Sequence, residues 1–256
     1  MLGKLLKYEI PALGRRLLPL FAGWAATAVL MGLAVGPLST ESGFMVFLSG
    51  LLYFAMATAV MVMTVILIIQ RYSNSLLGDE AYFNMVLPVT STEHIASKGI
   101  SALIWVLLSG VAMLVTGLLI ALFSGVLFGA DIPWADFFRE IANATAGEWL
   151  AMIETIIMAA FSITKSILAI YAAITVGHQV QKHTTLASIG AYIGALFFES
   201  VIGRILVGIF PNMVHNIDSV REVNGVFGIA ILTSILLGAV YFFICKYLME
   251  NRLNLN

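Results

Sequence analysis

Six long apolar stretches dominate the pattern of hydrophobic and polar positions along this chain. A helix needs about 20 predominantly apolar residues to cross the hydrocarbon core of a membrane, and each stretch reaches that length. The pattern therefore predicts an all-α membrane protein that crosses the bilayer six times. The predicted spans are Leu17–Gly36, Phe44–Ile69, Gly99–Phe128, Trp149–Val176, Leu186–Phe210 and Gly225–Tyr247. We expect residues 1–256 to form a single transmembrane domain.

Two of the segments between spans carry signals for the start of a helix. Thr90 is followed three residues later by Glu93, and Thr145 is followed in the same way by Glu148. This is the spacing of a capping box, in which a hydroxyl and a carboxylate satisfy free N–H groups of the first helical turn. We predict that the two boxes begin the helices of the third and fourth spans.

The residues between Asp131 and Asn143 have the periodicity of a short amphipathic helix. The apolar face consists of Trp134, Phe137, Phe138 and Ile141, and the polar face of Asp136, Arg139 and Glu140. Such a segment is expected to lie flat in the outer membrane interface. The alternative is a packed loop helix with no membrane role.

Pairs of small residues four positions apart mark candidate contacts between helices. They are Gly32/Gly36, Ala55/Ala59, Gly125/Gly129 and Gly190/Gly194. Such pairs allow two helix backbones to approach closely in a membrane. In a chain with 22 glycines the spacing also arises by chance.

The composition agrees with a membrane protein and excludes several other classes. Apolar residues make up 61% of the chain and charged residues 11%, whereas about a quarter of a soluble domain is charged. The spans leave no room for a soluble catalytic domain. The net charge of −1 and the lack of a basic block argue against a nucleic-acid partner. Cys245 is the single cysteine, so no disulfide forms within the chain.

The distribution of lysine and arginine predicts the orientation. With the N-terminus in the cytoplasm, nine cations fall on the cytoplasmic side and two, Arg139 and Arg221, on the other. The nine are Lys4, Lys7, Arg15, Arg16, Arg71, Lys98, Lys182, Lys246 and Arg252. Positive residues in short loops resist translocation, so both termini are expected in the cytoplasm.

Signatures of an intramembrane enzyme or a nucleotide site are missing from the sequence. It contains no His-Glu-x-x-His metal helix, no Gly-x-Ser-x-Gly elbow, and no aspartate inside a predicted span. It also has no Gly-x-x-x-x-Gly-Lys-Ser/Thr loop for phosphates. We therefore expect no metal, no catalytic residue and no cofactor bound by this chain.

Four charged residues lie inside predicted spans, namely Glu154, Lys165, Glu199 and Arg204. Each costs about 2.5–3.5 kcal/mol in the hydrocarbon core on insertion scales, so each needs a role. They either line a substrate path or form buried ion pairs, and we favour the structural role. Counted from the turn between spans four and five, Lys165 and Glu199 lie at similar depths of about 18 and 20 Å. We predict that these two form an ion pair; Glu154 and Arg204, at about 34 and 27 Å, match less well.

The segment from Gln70 to Lys98 carries a more specific pattern. It contains Leu77-Gly-Asp-Glu-Ala-Tyr82, then Leu87-Pro-Val89, followed by serine, threonine and the terminal lysine. This resembles the loop after the second span in permease subunits of type-2 ABC exporters, although Ala81 stands where that family often has glycine. Tyr8-Glu9 with Arg15-Arg16 is similar to the family's amphipathic elbow helix before the first span. Gly177-His-Gln-Val-Gln-Lys182 resembles its turn between spans four and five.

The resemblance implies a cytoplasmic coupling helix between spans two and three that docks on a separate ATPase subunit. Its apolar face would consist of Leu76, Leu77, Tyr82 and Phe83, and a bend would be formed by Gly78, Asp79 and Glu80. The turn residues His178, Gln179 and Lys182 would belong to the same coupling region. The alternative is an ordinary amphipathic loop that rests on the inner leaflet.

The function that the resemblance implies is ATP-driven export across a bacterial plasma membrane. The cargo would be an amphiphilic small molecule, an antimicrobial peptide or a lipid. Cytoplasmic ATPase subunits would bind the ATP and magnesium, and a second permease, identical or related, would complete the pathway within membrane lipid. Two alternatives stay open: a secondary transporter that uses Lys165 and Glu199 as a charge relay, and a scaffold or sensor that transports nothing.

Overall fold

The structure, a computed structural model, describes residues 2–36, 43–77, 89–126, 134–180, 182–209 and 220–251. In these ranges the chain forms α-helices and no β-strand. The helices are α1 (Leu2–Val35), α2 (Phe44–Leu76), α3 (Ser91–Ala121), α4 (Trp134–Ala142), α5 (Ala146–Gly177), α6 (Thr184–Ile209) and α7 (Val220–Asn251). One π-helical turn, Leu122–Val126, follows α3 directly.

Six of the described helices are long and apolar enough to cross a membrane, judged by length and composition. They are α1, α2, α3, α5, α6 and α7, and each overlaps one of the six predicted spans. The all-helical class and the six apolar helices of a multi-pass membrane protein are therefore confirmed. Most of these helices extend beyond the apolar stretch, because helix formation continues into polar residues that cap or flank it.

The N-terminal region differs from the prediction of a separate elbow helix. α1 begins at Leu2 and continues to Val35, so Tyr8 and Arg15 lie in its first turns. Pro11 and Pro19 are inside this helix. A proline removes one backbone hydrogen bond, but its fixed φ is compatible with a helix. No break in the described helix therefore separates an elbow from the first span.

Both predicted capping boxes are present. The Glu93 N–H donates to Thr90 Oγ1 and the Thr90 N–H donates to Glu93 Oε2, each at 3.3 Å. At the start of α5 the Thr145 N–H lies 2.6 Å from Glu148 Oε2, and the Glu148 N–H donates back to Thr145 Oγ1 at 3.4 Å. α3 and α5 begin one residue after these caps, as the spacing predicts.

The predicted amphipathic segment forms α4. Its polar residues Asp136 and Arg139 are exposed and lie 3.4 Å apart as an ion pair along the helix surface. The helix is thus confirmed, whereas its position in the membrane interface stays a prediction.

The chain divides into two compact units. The first unit comprises Met1–Leu5, Ile69–Leu103 and Ala144–Asn256, and the second unit comprises Leu6–Ile68 and Ile104–Asn143. The first unit contains α5, α6 and α7 together with the end of α2 and the start of α3. The second unit contains most of α1 and α2, the remainder of α3, and α4.

In the first unit, α5 packs against both α6 and α7. The turn from α5 to α6 is tight, because a Cβ placed on Gly177 would lie 2.6 Å from the backbone nitrogen of Ser188. Only a residue without a side chain fits there without a shift of the backbone. α5 and α6 therefore run antiparallel from a fixed common starting point.

In the second unit, a buried cluster forms around Trp105 of α3, with Leu13, Leu17 and Leu67. The Trp105 indole Nε1–H donates to the Ile10 carbonyl oxygen at 3.0 Å. A Cβ on Gly14 would lie 2.7 Å from the indole ring, so α1 passes directly beneath it. This apolar contact holds α1 and α3 together.

Candidate functional site

The first unit contains a buried ion pair between two of its apolar helices. The Lys165 Nζ of α5 lies 2.6 Å from Glu199 Oε2 of α6, and both side chains are about one-sixth exposed, at 16% and 17%. The pair predicted from the depth of the two residues is therefore formed. The tight turn at Gly177 fixes the register of α5 against α6, which brings the two charges to the same level.

A third residue, Tyr241 of α7, completes what we call the charge cluster. Its hydroxyl donates to Glu199 Oε1 at 3.0 Å, so both oxygens of the carboxylate have a donor. α7 packs against α5 here, since a Cβ on Gly238 would make ordinary contact, 3.8 Å, with the Lys165 Cα. Sequence reasoning missed Tyr241, although a tyrosine inside an apolar helix usually has a hydrogen-bond partner for its hydroxyl.

The electrostatics of the cluster explain why the charges are tolerated. Separately, an ammonium or a carboxylate in hydrocarbon is costly. Together they form a charge-assisted hydrogen bond, and the tyrosine hydroxyl adds a second donor to the carboxylate. Glu199 is therefore compensated on both oxygens, whereas Lys165 is bonded through a single N–H.

The other two charges within the predicted spans behave differently. Glu154 is half-buried on α5 and Arg204 is exposed on α6. Both are in the described part of the chain, and they do not form an ion pair with each other. This agrees with their poorer match in depth.

A second polar group, which we call the tyrosine cluster, consists of Tyr72, Tyr171, Thr175 and Cys245. The rings of Tyr72 and Tyr171 stack with centroids 3.9 Å apart. Thr175 donates to the Tyr171 carbonyl oxygen, so at 2.8 Å the Tyr72 hydroxyl acts as the donor to Thr175 Oγ1. Cys245 of α7 is fully buried beside them. The cluster thus joins α2, α5 and α7.

The tyrosine cluster also reaches α3, because the Tyr171 hydroxyl donates to the Lys98 carbonyl oxygen at 3.3 Å. Tyr72 lies six residues before Gly78, and Lys98 ends the segment that resembles an exporter loop. The helices on both sides of that segment are therefore fastened to α5. Sequence reasoning missed this group; the signal was two tyrosines, one at the end of an apolar stretch and one within another.

The residues predicted for the coupling region are only partly described. Leu76 is completely buried at the end of α2 and Leu77 is half-buried. Leu76 belongs to the interior of the first unit, so in this arrangement it is not part of an exposed docking face. Gly78, Asp79, Glu80, Tyr82 and Phe83 lie outside the described residues.

The turn residues of the coupling prediction are described. His178 is the C-cap of α5, and its Nδ1 lies 2.9 Å from the Ile174 carbonyl oxygen. Gln179 and Lys182 are exposed. His178 thus caps a helix, while the other two side chains are accessible. In the described ranges, no three His, Cys, Asp or Glu side chains gather in a way that could hold a metal ion.

No protein-family model, curated protein or solved structure matches the chain. The assignment of function therefore depends on the residues of this chain and their arrangement.

Proposed function

We propose that the chain is the permease subunit of an ATP-driven exporter of amphiphilic molecules in a bacterial plasma membrane. The observation that carries the proposal is the segment between α2 and α3, with its Leu-Gly-Asp-Glu-Ala-Tyr and Leu-Pro-Val sequences. It lies between two long apolar helices, so a movement of the ATPase that acts on this segment would be transmitted to both helices. Two cytoplasmic ATPase subunits and a second permease would complete the transporter.

The helix count and the cation distribution support the orientation that this function requires. An even number of spans returns the chain to the side on which it began, so both termini share one side. Nine lysines and arginines fall on that side and two on the other, which favours a cytoplasmic location for it by the positive-inside rule. The segment between α2 and α3 then faces the cytoplasm, within reach of an ATPase.

The tyrosine cluster supports a route from that segment to the middle of the membrane. Tyr72 and the Lys98 carbonyl oxygen, on the helices before and after residues 78–88, both contact Tyr171 of α5. Lys165 lies six residues earlier on the same helix, a distance of about 9 Å. A force on the segment would therefore act on α5 and on the charge cluster.

The chain supplies no phosphate-binding loop of its own, so ATP and magnesium would bind to the partner subunit. This chain would bind neither a cofactor nor a metal, and it would not be an enzyme by itself. The cytoplasmic segment supplies contact and leverage instead of chemistry.

The test reverses the charge of the segment and asks whether an ATPase subunit stays attached. We expect an ATPase subunit to copurify with the wild-type chain from the native membrane and to be lost with the double variant Asp79→Lys/Glu80→Lys. The matched control is Asp136→Lys/Glu140→Lys on α4, predicted to face the opposite side, which should retain the subunit. ATP hydrolysis by the purified complexes gives a second readout.

Two outcomes would overturn the proposal. The first is a wild-type chain that copurifies with no ATPase subunit. The second is an equal retention of the subunit and of coupled hydrolysis by both double variants, which would make the segment an inner-leaflet loop.

One observation favours a second candidate, a secondary transporter. The charge cluster joins a lysine, a glutamate and a tyrosine in a continuous hydrogen-bonded group inside the apolar helices. Such groups occur in proton relays of pumps and transporters. Proton flux through the purified chain in liposomes without ATP, abolished by Glu199→Gln, would support this candidate over the exporter.

A further inference from the structure

The first unit contains a cavity of about 290 Å³ beside the charge cluster. It is lined by six residues of α7 between Val226 and Leu237, three residues of α6 between Gly203 and Val207, and Lys165 of α5. The six α7 residues recur at intervals of three and four along one face of the helix. The eleven residue steps from Val226 to Leu237 correspond to a rise of about 16 Å along the helix, so the cavity is a long, narrow slot.

The two ends of the slot differ chemically. The walls are apolar apart from Lys165 and the hydroxyls of Thr233 and Ser234. Lys165 lies near the Leu237 end, because its Cα approaches the neighbouring Gly238. From there the slot extends towards the start of α7 along aliphatic side chains. The slot therefore has a cationic residue at one end and apolar walls along the rest of its length.

The ammonium of Lys165 has capacity for a ligand. Within the described residues it bonds only to Glu199, which takes one of its three N–H groups. Lys165 lines the slot whereas Glu199 and Tyr241 do not, so Lys165 is the charged residue that a ligand in the slot would contact. If the ammonium is shared with a ligand, Glu199 keeps the hydroxyl of Tyr241 as a second donor.

The size of the slot restricts its occupant. Small-molecule sites generally span about 300–1,000 Å³, so 290 Å³ stands at the lower limit. A folded peptide or a two-chain lipid is too large, whereas one extended alkyl chain fits a narrow slot. A negatively charged head with acceptor oxygens is the natural partner for an ammonium in an apolar setting.

We infer that the slot binds a single-chain amphiphile with an anionic headgroup, held by Lys165 at the head and by α6 and α7 along the tail. The inference deepens the proposed export function by naming its cargo class, and in that respect it rests on it. The binding site itself exists independently of any ATPase, so it can be tested on this chain alone.

The first experiment compares headgroups on the wild-type protein. Binding of radiolabelled dodecanoate and of dodecanol is measured to the full chain in phosphatidylcholine nanodiscs, with empty nanodiscs as background, at a pH where the carboxylate is ionised. We expect saturable binding of dodecanoate, and about tenfold weaker binding of dodecanol, which lacks the charge-assisted bond. Equal affinity of the two probes would overturn the inference, because the slot would then be a plain apolar groove.

The second experiment blocks the slot without touching the charges. Ala230→Phe places a ring in the slot, and Ala239→Phe places the same ring on an exposed position of the same helix. We expect the first variant to bind dodecanoate about tenfold more weakly or not at all, and the second to bind like the wild type. Wild-type affinity in the Ala230→Phe variant would contradict the inference.

The milder change Ala230→Leu covers the case in which the phenylalanine disturbs folding, and it should weaken binding in the same direction. Lys165→Arg should retain binding because it keeps the cation. The ATPase copurification described above is unaffected by these results. Failure of dodecanoate binding with a retained ATPase would reject the cargo class and leave the exporter proposal standing.

Discussion

The two compact units are both built from long apolar helices, yet different interactions join the helices within each unit. In the second unit Trp105 covers Gly14 and packs against leucines, and uncharged hydrogen bonds join Trp105 to Ile10 and Tyr53 to Thr116. An exposed ion pair lies on α4, and the carboxylate side chain of Glu9 in α1 is buried. In the first unit a lysine, a glutamate and several tyrosines connect the helices through their polar atoms. Each unit contains a cavity, of about 290 Å³ in the first and 280 Å³ in the second, but among the described residues only the cavity of the first unit is lined by a charged residue, Lys165.

The two units also differ in how closely their paired glycines approach a neighbouring helix. Gly32 in α1 and Gly36, directly after its end, lie against the end of α3 and the following π-helical turn, where added Cβ atoms would come within 3.0 Å of backbone oxygens. Gly190 and Gly194 of α6 have open space around them. Both pairs have the same spacing in the sequence. The spacing makes a close approach of two helices possible. Of these two described pairs, only Gly32/Gly36 in the second unit is in such a close contact.

The largest expected effect comes from breaking the buried ion pair. Lys165→Met and Glu199→Gln should each lower stability by about 3–5 kcal/mol, because each leaves a partner unpaired in a low dielectric. The double variant should recover most of the loss. Thermal unfolding of the purified proteins in detergent ranks the stabilities of the wild type, the two single variants and the double variant. The control Arg139→Met removes an exposed pair and should cost at most about 1 kcal/mol.

Simple addition of the two single losses would show that Lys165 and Glu199 do not interact. A cost of Arg139→Met as large as that of Lys165→Met would remove the contrast between buried and exposed charge on which the comparison depends.

A smaller effect on stability is expected when alanine replaces a glycine in close contact with another helix or a glycine in open space. Gly32→Ala should destabilise the chain by about 1–3 kcal/mol, because α1 must move away from the Ile120 carbonyl oxygen. Gly194→Ala should be neutral or stabilise it by up to about 1 kcal/mol, since alanine favours a helix and the site is open. The same unfolding measurement compares them. A loss in both variants would mean that α6 is covered by a partner in the purified protein.

The smallest effect concerns two matched tyrosine–threonine hydrogen bonds. Tyr72 bonds to Thr175 in the first unit at 2.8 Å, and Tyr53 bonds to Thr116 in the second at 3.1 Å. Each threonine also donates to a backbone carbonyl, so neither is left without a partner when the tyrosine hydroxyl is removed. Tyr72→Phe should cost about 1 kcal/mol, and Tyr53→Phe less, because Tyr72 is fully buried.

Unfolding of these two variants in detergent should therefore show a lower midpoint for Tyr72→Phe. If Tyr53→Phe is the more damaging of the two, polar contacts do not distinguish the first unit, and the division between the units is one of helix packing alone.

Several features of this protein follow from the sequence by itself. The six apolar helices and the two capping boxes depend on patterns within about 30 residues, so local periodicity determines them. The Lys165–Glu199 pair was also within reach, because a short turn links the two helices and depth rises by about 1.5 Å per residue. The elbow helix, which rested on the family resemblance of Tyr8-Glu9 and Arg15-Arg16, is not confirmed, since Leu2–Val35 is one continuous helix.

The rotation of each helix about its axis and the identity of its neighbours could not be read from the sequence pattern and are seen only in the folded protein. Tyr241 joins the charge cluster because α7 packs against α5, and the slot exists because one face of α7 is turned towards α6. Tyr72 and Tyr171 are about 100 residues apart in the sequence, yet they stack at 3.9 Å. Depth along a helix is fixed by covalent geometry, whereas rotation about its axis is set by the packing of all its neighbours at once.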